Sequence, residues 1–191
     1  MEEHLNRRSR TGRREGHVEL RFYPDPVLRE ATETVTVFDD ALAGLASRMV
    51  EIMHANQGLG LAGPQVGVGR SIVIVSPDGE PGHETVMVNP EVVGSDGWQT
   101  SEEGCLSFPG ILVKIRRFDR IRVRYQDVNG REHEMQAEGL FSRAIQHECD
   151  HLHGRLLVDR MSPVQRVSHR RRLRELKDRY ASQTAGAETA G

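Results

Sequence analysis

The sequence predicts an α+β fold, with antiparallel β-sheets around a central helix, an N-terminal helix and a C-terminal helix. Three observations carry this expectation. Apolar residues recur at helical spacing near the start, in the last third and at the end of the chain. Between the first and second of these helical stretches lie short runs rich in β-branched residues. Asp127-Val128-Asn129-Gly130 separates two of those runs as a hairpin turn does.

Each element has a local cause. RFYPDPVLREAT (21–32) carries two prolines and is expected to run extended into a short helical turn. Leu42, Leu45, Ala46, Met49, Val50 and Met53 predict a helix over 41–56, with Asp39 or Asp40 as its cap. It should stop at Asn56-Gln57-Gly58, where glycine permits the left-handed conformation. Strands are expected at 71–75, 85–89, 111–115, 120–126 and 131–137. A second helix should span 140–152 and end at Gly154. A third begins after Ser162-Pro163, a capping residue followed by a proline at the first helical position. Its Val164, Val167, Leu173, Leu176 and Tyr180 form a thin stripe for docking on the body.

Bulk properties narrow the class. The 191 residues suit one domain, and 37% hydrophobic with 28% charged residues suits a globular chain rather than a disordered one. No stretch approaches the roughly 18 consecutive apolar residues of a membrane span. Residues 1–18 lack the apolar core of a secretory signal, and Glu2, Glu3 and Glu15 among their arginines argue against a mitochondrial transit peptide. The expectation is a cytoplasmic protein. Residues 1–18 would be a disordered extension, 19–180 one catalytic domain closed by a helix at 163–180, and 181–191 a flexible tail. Its two cysteines, Cys105 and Cys149, suit free, metal-bound or catalytic thiols better than a disulfide.

The net charge of −2 conceals an asymmetry. Residues 19–159 hold 13 Lys/Arg against 22 Asp/Glu, whereas residues 160–191 hold 8 against 3. A basic end on an acidic body raises a nucleic-acid reading, set against the plainer one that residues 169–179 are a solvated helix face.

Gln146-His147-Glu148-Cys149-Asp150-His151 is the sharpest feature. Histidines at i and i+4 share one helix face, so His147 and His151 can bind one metal ion, with Glu148 beside it to accept a proton from water. The plain alternative is two surface histidines. Leu140, Ala144, His147 and His151 share a stripe, however, which turns the pair inward and makes the central helix a metal-binding one. Metzincin proteases would need a third histidine where Leu157 stands. Gluzincins would need a later glutamate, and Glu175 lies in a strongly basic, surface-like segment. Upstream, Glu103-Gly104-Cys105-Leu106-Ser107 offers a thiolate, and a Cys-His-His set leaves a fourth position open, as catalytic sites do.

With Gly58-Leu59-Gly60-Leu61-Ala62-Gly63-Pro64-Gln65 added, the chain resembles the peptide deformylases. That family is marked by Gly-x-Gly-x-Ala-Ala-Pro-Gln (x apolar), Glu-Gly-Cys-Leu-Ser and Gln-His-Glu-x-Asp-His-Leu, in this order. The second and third are intact here. The first departs at Gly63, where the family usually has alanine. The resemblance covers roughly residues 19–180, and the Met-Ser-Pro helix resembles the bacterial form. It implies that Cys105, His147 and His151 bind the metal, usually Fe2+, with Zn2+, Ni2+ or Co2+ able to substitute. It also implies Glu148 as general base and then acid, with the Gln65 amide and the Leu106 N–H stabilising the oxyanion.

The substrate would be the formyl-methionyl end of nascent peptides, and the product formate. Gly60 and Gly104 would let backbone approach the metal closely, with Glu103 grouped among the substrate-contacting residues. Leu59, Leu140 and Ala144 are candidates for an apolar methionine pocket, with Arg143 lending its aliphatic stem at the rim. Asp150 is expected to pair with an arginine such as Arg117. Ribosome contact through the basic C-terminal helix is a further expectation, with no membrane and no DNA partner. Two rival readings stand beside this one: a zincin-type metalloendopeptidase, and a ribosome- or RNA-associated binding module.

Overall fold

The computed structural model of the chain describes residues 18–188; the expected extension at 1–18, Val18 excepted, and the last residues of the expected tail lie outside them. In chain order the strands are β1 (Gly60–Ala62), β2 (Ile72–Val75), β3 (Thr85–Asp96), β4 (Gln99–Glu103), β5 (Val113–Arg117), β6 (Arg120–Gln126) and β7 (Glu132–Glu138). The helices are α1 (Asp40–Ala55), α2 (Gly139–Leu152), α3 (Pro163–Ser168) and α4 (Arg170–Glu188), with a short 3-10 turn at Pro26–Arg29. Five strands form one antiparallel sheet in the order β1-β2-β3-β6-β7, and β4 pairs with β5 alone. This is the α+β arrangement expected.

The sheet is covered on both faces at β2. Side chains alternate across a strand, so Ile72 and Ile74 enter one core with Leu42, Ala46, Met49 and Met53 of α1. Val73 and Val75 point the other way, into a core with Ile145 and Leu152 of α2. That double burial is why β2 is an unbroken apolar run rather than an alternating one. A third core joins Val27 and Leu28 to Phe108, Ile115, Leu157 and Leu176, and holds α4 to the body. Each fully buried aliphatic side chain here contributes about 1.5–3 kcal/mol relative to exposure.

Several boundaries differ from expectation for physical reasons. Asp39 caps α1 by accepting the Leu42 N–H at 3.0 Å, but Gln57, not glycine, takes the left-handed φ of 54° at its end. β4 has no signature in sequence because QTSEE lacks apolar alternation: three residues face solvent and Gln99 and Glu103 are polar. Its ladder with β5 supplies what its composition lacks. The expected strand at 111–115 lies at 113–117, in register with β4. The C-terminal helix breaks at His169, so α3 is separate and Val164 and Val167 stay 78% and 73% exposed instead of joining the stripe. Leu176 is buried and Leu173 packs beside it. Beyond Tyr180, the expected limit, α4 continues to Glu188.

The turn at 127–130 forms as expected. Asp127 Oδ1 accepts the N–H groups of Asn129 and Arg131, and Gly130 adopts a positive φ. No helix among the described residues is long and apolar enough to cross a membrane.

Candidate metal centre

α2 is the central helix of the fold. One flank packs on the five-stranded sheet, and another reaches the β4–β5 pair through Arg143, His147 and Asp150. His147 and His151 share a face one turn apart, with ring centroids 5.1 Å apart. The end of β4 delivers Cys105 to that face, its Sγ 3.3 Å from His151 Nε2. The ligand atoms of Cys105, His147 and His151 lie within 4.8 Å of one another, the one such His/Cys/Asp/Glu group among the described residues.

The surroundings suit a cation. Glu103 Oε2 lies 3.0 Å from His147 Nδ1, so Nδ1–H donates to the carboxylate and Nε2 is the nitrogen left to hold a metal ion. That Nε2 is buried and has no hydrogen-bond partner among the described residues, as are Glu148 Oε2 and His151 Nδ1. Burial opposes charge on His147, yet the Cys105 thiol and the Glu103 carboxylate raise its pKa well above the ordinary value. The field there calls for positive charge, which a metal ion supplies equally well. Burial drives His151 well below its ordinary pKa, leaving the neutral imidazole that binds metals. Cys149, one helix position from Glu148, is pushed up to about 12 by burial and stays a thiol.

Glu148 lies beside the three donors, and burial, the largest influence, pushes its pKa up to about 7. Gly60 of β1 lies directly against its carboxylate, where an added Cβ would overlap Oε1. Gln65 follows β1 in a 3-10 turn and is buried. Its Oε1 accepts the Ala62 N–H at 2.7 Å, which turns the amide nitrogen toward the site, 3.4 Å from Cys105 Sγ. Leu106 follows Cys105 in a turn closed by the Phe108 N–H on the Cys105 carbonyl. Leu59 is half-buried, Ala144 lies half-buried on α2, and Gly104 is exposed beside Leu112.

Three expectations need correction. Glu103 does not face a substrate: its carboxylate is engaged by Arg117 through Nε (2.6 Å) and Nη2 (2.8 Å), by Arg143 Nη1 (2.5 Å) and by His147. Although burial raises its pKa, hydrogen bonds from His147 and Arg117 outweigh this and hold it at about 2. Arg143 is no rim residue either. It is 3% exposed, because α2 turns this position toward the β4–β5 pair. Leu140 belongs to the predicted inward stripe but is 53% exposed at the first turn of α2.

The expected Asp150–Arg117 pair is present at 2.8 Å, and Arg160 adds a second guanidinium on Asp150. Sequence reasoning missed the link from Glu103 to His147 and the roles of Arg143 and Arg160. One signal was the carboxylate two positions before the candidate ligand Cys105, a residue type able to orient a ligand histidine.

The protease geometries find no support. Leu157, where a metzincin needs histidine, is buried in the third core, and Glu175 pairs with Arg171 and Arg172 on α4.

Comparison with known proteins agrees with this geometry. The family model for polypeptide deformylase matches residues 18–167. A peptide deformylase of Thermodesulfovibrio yellowstonii is 42% identical over 162 residues, covering 84% of this chain and 98% of that protein. One from Thermotoga neapolitana is 42% identical over 158 residues, covering 82% and 94%. Among solved structures, a peptide deformylase from Plasmodium falciparum superposes with a TM-score of 0.83 at 37% identity, covering 86% of this chain and 98% of that one. One from Legionella pneumophila gives 0.80 at 37% identity, covering 85% and 96%. With the three motifs folded into a single pocket and relatives aligned over most of both chains, this chain belongs to the polypeptide deformylase family.

Proposed function

We propose that this metal-dependent deformylase removes the formyl group from the N-terminal formyl-methionine of nascent peptides, releasing formate. The observation that carries the reading is the meeting of Cys105, His147 and His151 with the buried Glu148 and the inward-turned Gln65 amide. Cys105, His147 and His151 would hold one divalent ion, Fe2+ by family resemblance, with Zn2+, Ni2+ or Co2+ able to occupy the same donors. When bound, such an ion supplies Lewis acidity and lowers the pKa of a coordinated water toward about 7.

This chain's own residues do the rest. Glu148, buried beside the proposed ligands, accepts a proton from water and returns it to the departing amine. The Gln65 amide and the Leu106 N–H donate to the oxygen that becomes negative as the tetrahedral intermediate forms. Leu59, Ala144 and the exposed Leu140 offer apolar surface for the methionine side chain; the exposed Gly104 leaves room for a close backbone approach, and Gly60 makes room for the Glu148 carboxylate. Glu103 and Arg143 support the centre and are not counted among substrate contacts.

Residues 19–180 act in this reading as one catalytic unit, whose last helix runs on to Glu188. Arg170, Arg174, Lys177 and Arg179 are exposed on α4, a positive surface suited to ribosomal RNA near emerging chains. Unchanged ribosome co-sedimentation after truncation before Arg170 would remove that contact from the proposal.

The deciding measurement is formate release from a formyl-Met peptide by anaerobically purified protein, with metal content read on the same sample. Activity in the wild type and its loss, with the metal, in Cys105→Ala is the expected result. Cleavage of internal peptide bonds without formate would overturn it.

A further inference from the structure

The three proposed ligands come from two separate pieces of chain. His147 and His151 are fixed to each other by α2, but Cys105 arrives from the end of β4, in the other sheet. Something must hold the β4 end at a constant distance from α2. Arg143 lies one helical turn before His147 and is buried between α2 and the β4–β5 pair. Its Nη1 donates to Glu103 Oε1 at 2.5 Å and to the Ile115 carbonyl of β5 at 3.1 Å. Nε and Nη2 lie 3.4 and 3.3 Å from Gln99 Oε1, at the far end of β4. One guanidinium therefore touches both ends of β4 and the middle of β5.

We infer that Arg143 is a positioning residue for the metal centre: it clamps the β4–β5 pair to α2, sets the reach of Cys105 toward the two histidines, and fixes the carboxylate that orients His147. Glu103 is held by α2 at two successive turns, through Arg143 on Oε1 and His147 on Oε2. Arg117 grips the same carboxylate but belongs to β5, so it ties Glu103 to its own sheet. Its ion pair with α2 is made to Asp150, and its Nη2 lies 3.5 Å from His147 Nδ1. Arg143 is the cation of α2 itself on that carboxylate. Without it, the link from Glu103 to α2 reduces to the neutral imidazole of His147, and Oε1 loses a charge-assisted donor in a buried setting. This inference rests on Cys105, His147 and His151 being the ligands.

The test uses full-length protein loaded with Co2+, whose thiolate-to-metal absorption reports the Cys105 bond directly. Loss of that band is followed after adding excess chelator, below the unfolding temperature, with circular dichroism confirming the fold. Supporting-residue changes around metal sites typically cost 10- to 100-fold in affinity. Arg143→Met is expected to lose metal about 10- to 100-fold faster than wild type. Arg143→Lys keeps a charge on Oε1 but cannot fork to Ile115 and Gln99, and should fall between the two. In metal-saturated assays kcat should drop while KM stays within about twofold, because the residue touches no substrate. Wild-type loss rates in both variants would overturn the clamp; if the Met variant fails to fold, a wild-type rate in the Lys variant overturns it alone. A wild type that shows no cobalt–thiolate band would overturn the metal centre itself, and the clamp with it.

Discussion

Gly60 and Glu148 are in contact across the site: the carboxylate of Glu148 occupies the space a Cβ at position 60 would need. β1 is thus packed against the proposed base with no room for a side chain at position 60. Gly60→Ala should push Glu148 aside and lower kcat about 100-fold, since misplacing a reacting group by about 1 Å costs on that order. Metal content, measured by elemental analysis, should stay at the wild-type level.

Glu148 makes function and stability oppose each other. Its pKa is about 7 in the folded metal-free protein against the ordinary 4.5. Between those values the folded state holds a proton that the unfolded state has released. Stability of the metal-free protein should therefore fall by ~3 kcal/mol as pH rises from about 4.5 to about 7. Glu148→Gln should remove this slope and be the more stable form at pH 8, while losing about 100- to 10,000-fold in kcat. Urea melts of both proteins at pH 5 and pH 8, beside formate assays, check the two halves.

Glu103 has the opposite sign. Its pKa is about 2 when folded against 4.5 when free. Its contribution of ~3 kcal/mol is fully present above pH 4.5 and lost as pH falls toward 2. Glu103→Gln should flatten the acid limb of the stability curve over that window. An unchanged acid limb by chemical denaturation would assign the acid sensitivity elsewhere.

Gln65 is aimed by the backbone of Ala62, whose N–H donates to its Oε1 at 2.7 Å. Gln65→Ala should cost about 100- to 1,000-fold in kcat, or 2.7–4 kcal/mol, as loss of one oxyanion donor does. Full activity in a metal-replete Gln65→Ala protein would remove it from the mechanism.

Gly63 marks the one departure from the family's first motif, and the structure gives a reason. A Cβ there would meet the carbonyl oxygens of Arg70 at 2.6 Å and Val68 at 2.8 Å. These belong to backbone, which cannot swing away as a side chain can. Restoring the family's residue with Gly63→Ala should destabilise the protein by about 1–3 kcal/mol. Turnover per folded molecule should stay near wild type, because Gln65 keeps its register. Denaturation curves against active-site-normalised rates separate the two effects.

The sequence by itself determined the elements whose cause is local. The i, i+4 spacing put His147 and His151 on one helix face, Asp39 capped α1, and Asp127 with Gly130 made the hairpin turn. Three ordered motifs were enough to indicate the family, because each is a run of neighbours recognisable without the partners it meets in the fold. Tertiary structure alone decided what depends on two segments far apart in the chain. β4 exists because β5 pairs with it, not because QTSEE favours a strand. Arg143 and Glu103 read as surface-type residues, and their burial is tolerable because they meet each other and Glu103 also meets Arg117. The metal-binding helix was thus legible from its own residues, whereas the clamp that holds Cys105 to it forms only when α2, β4 and β5 meet.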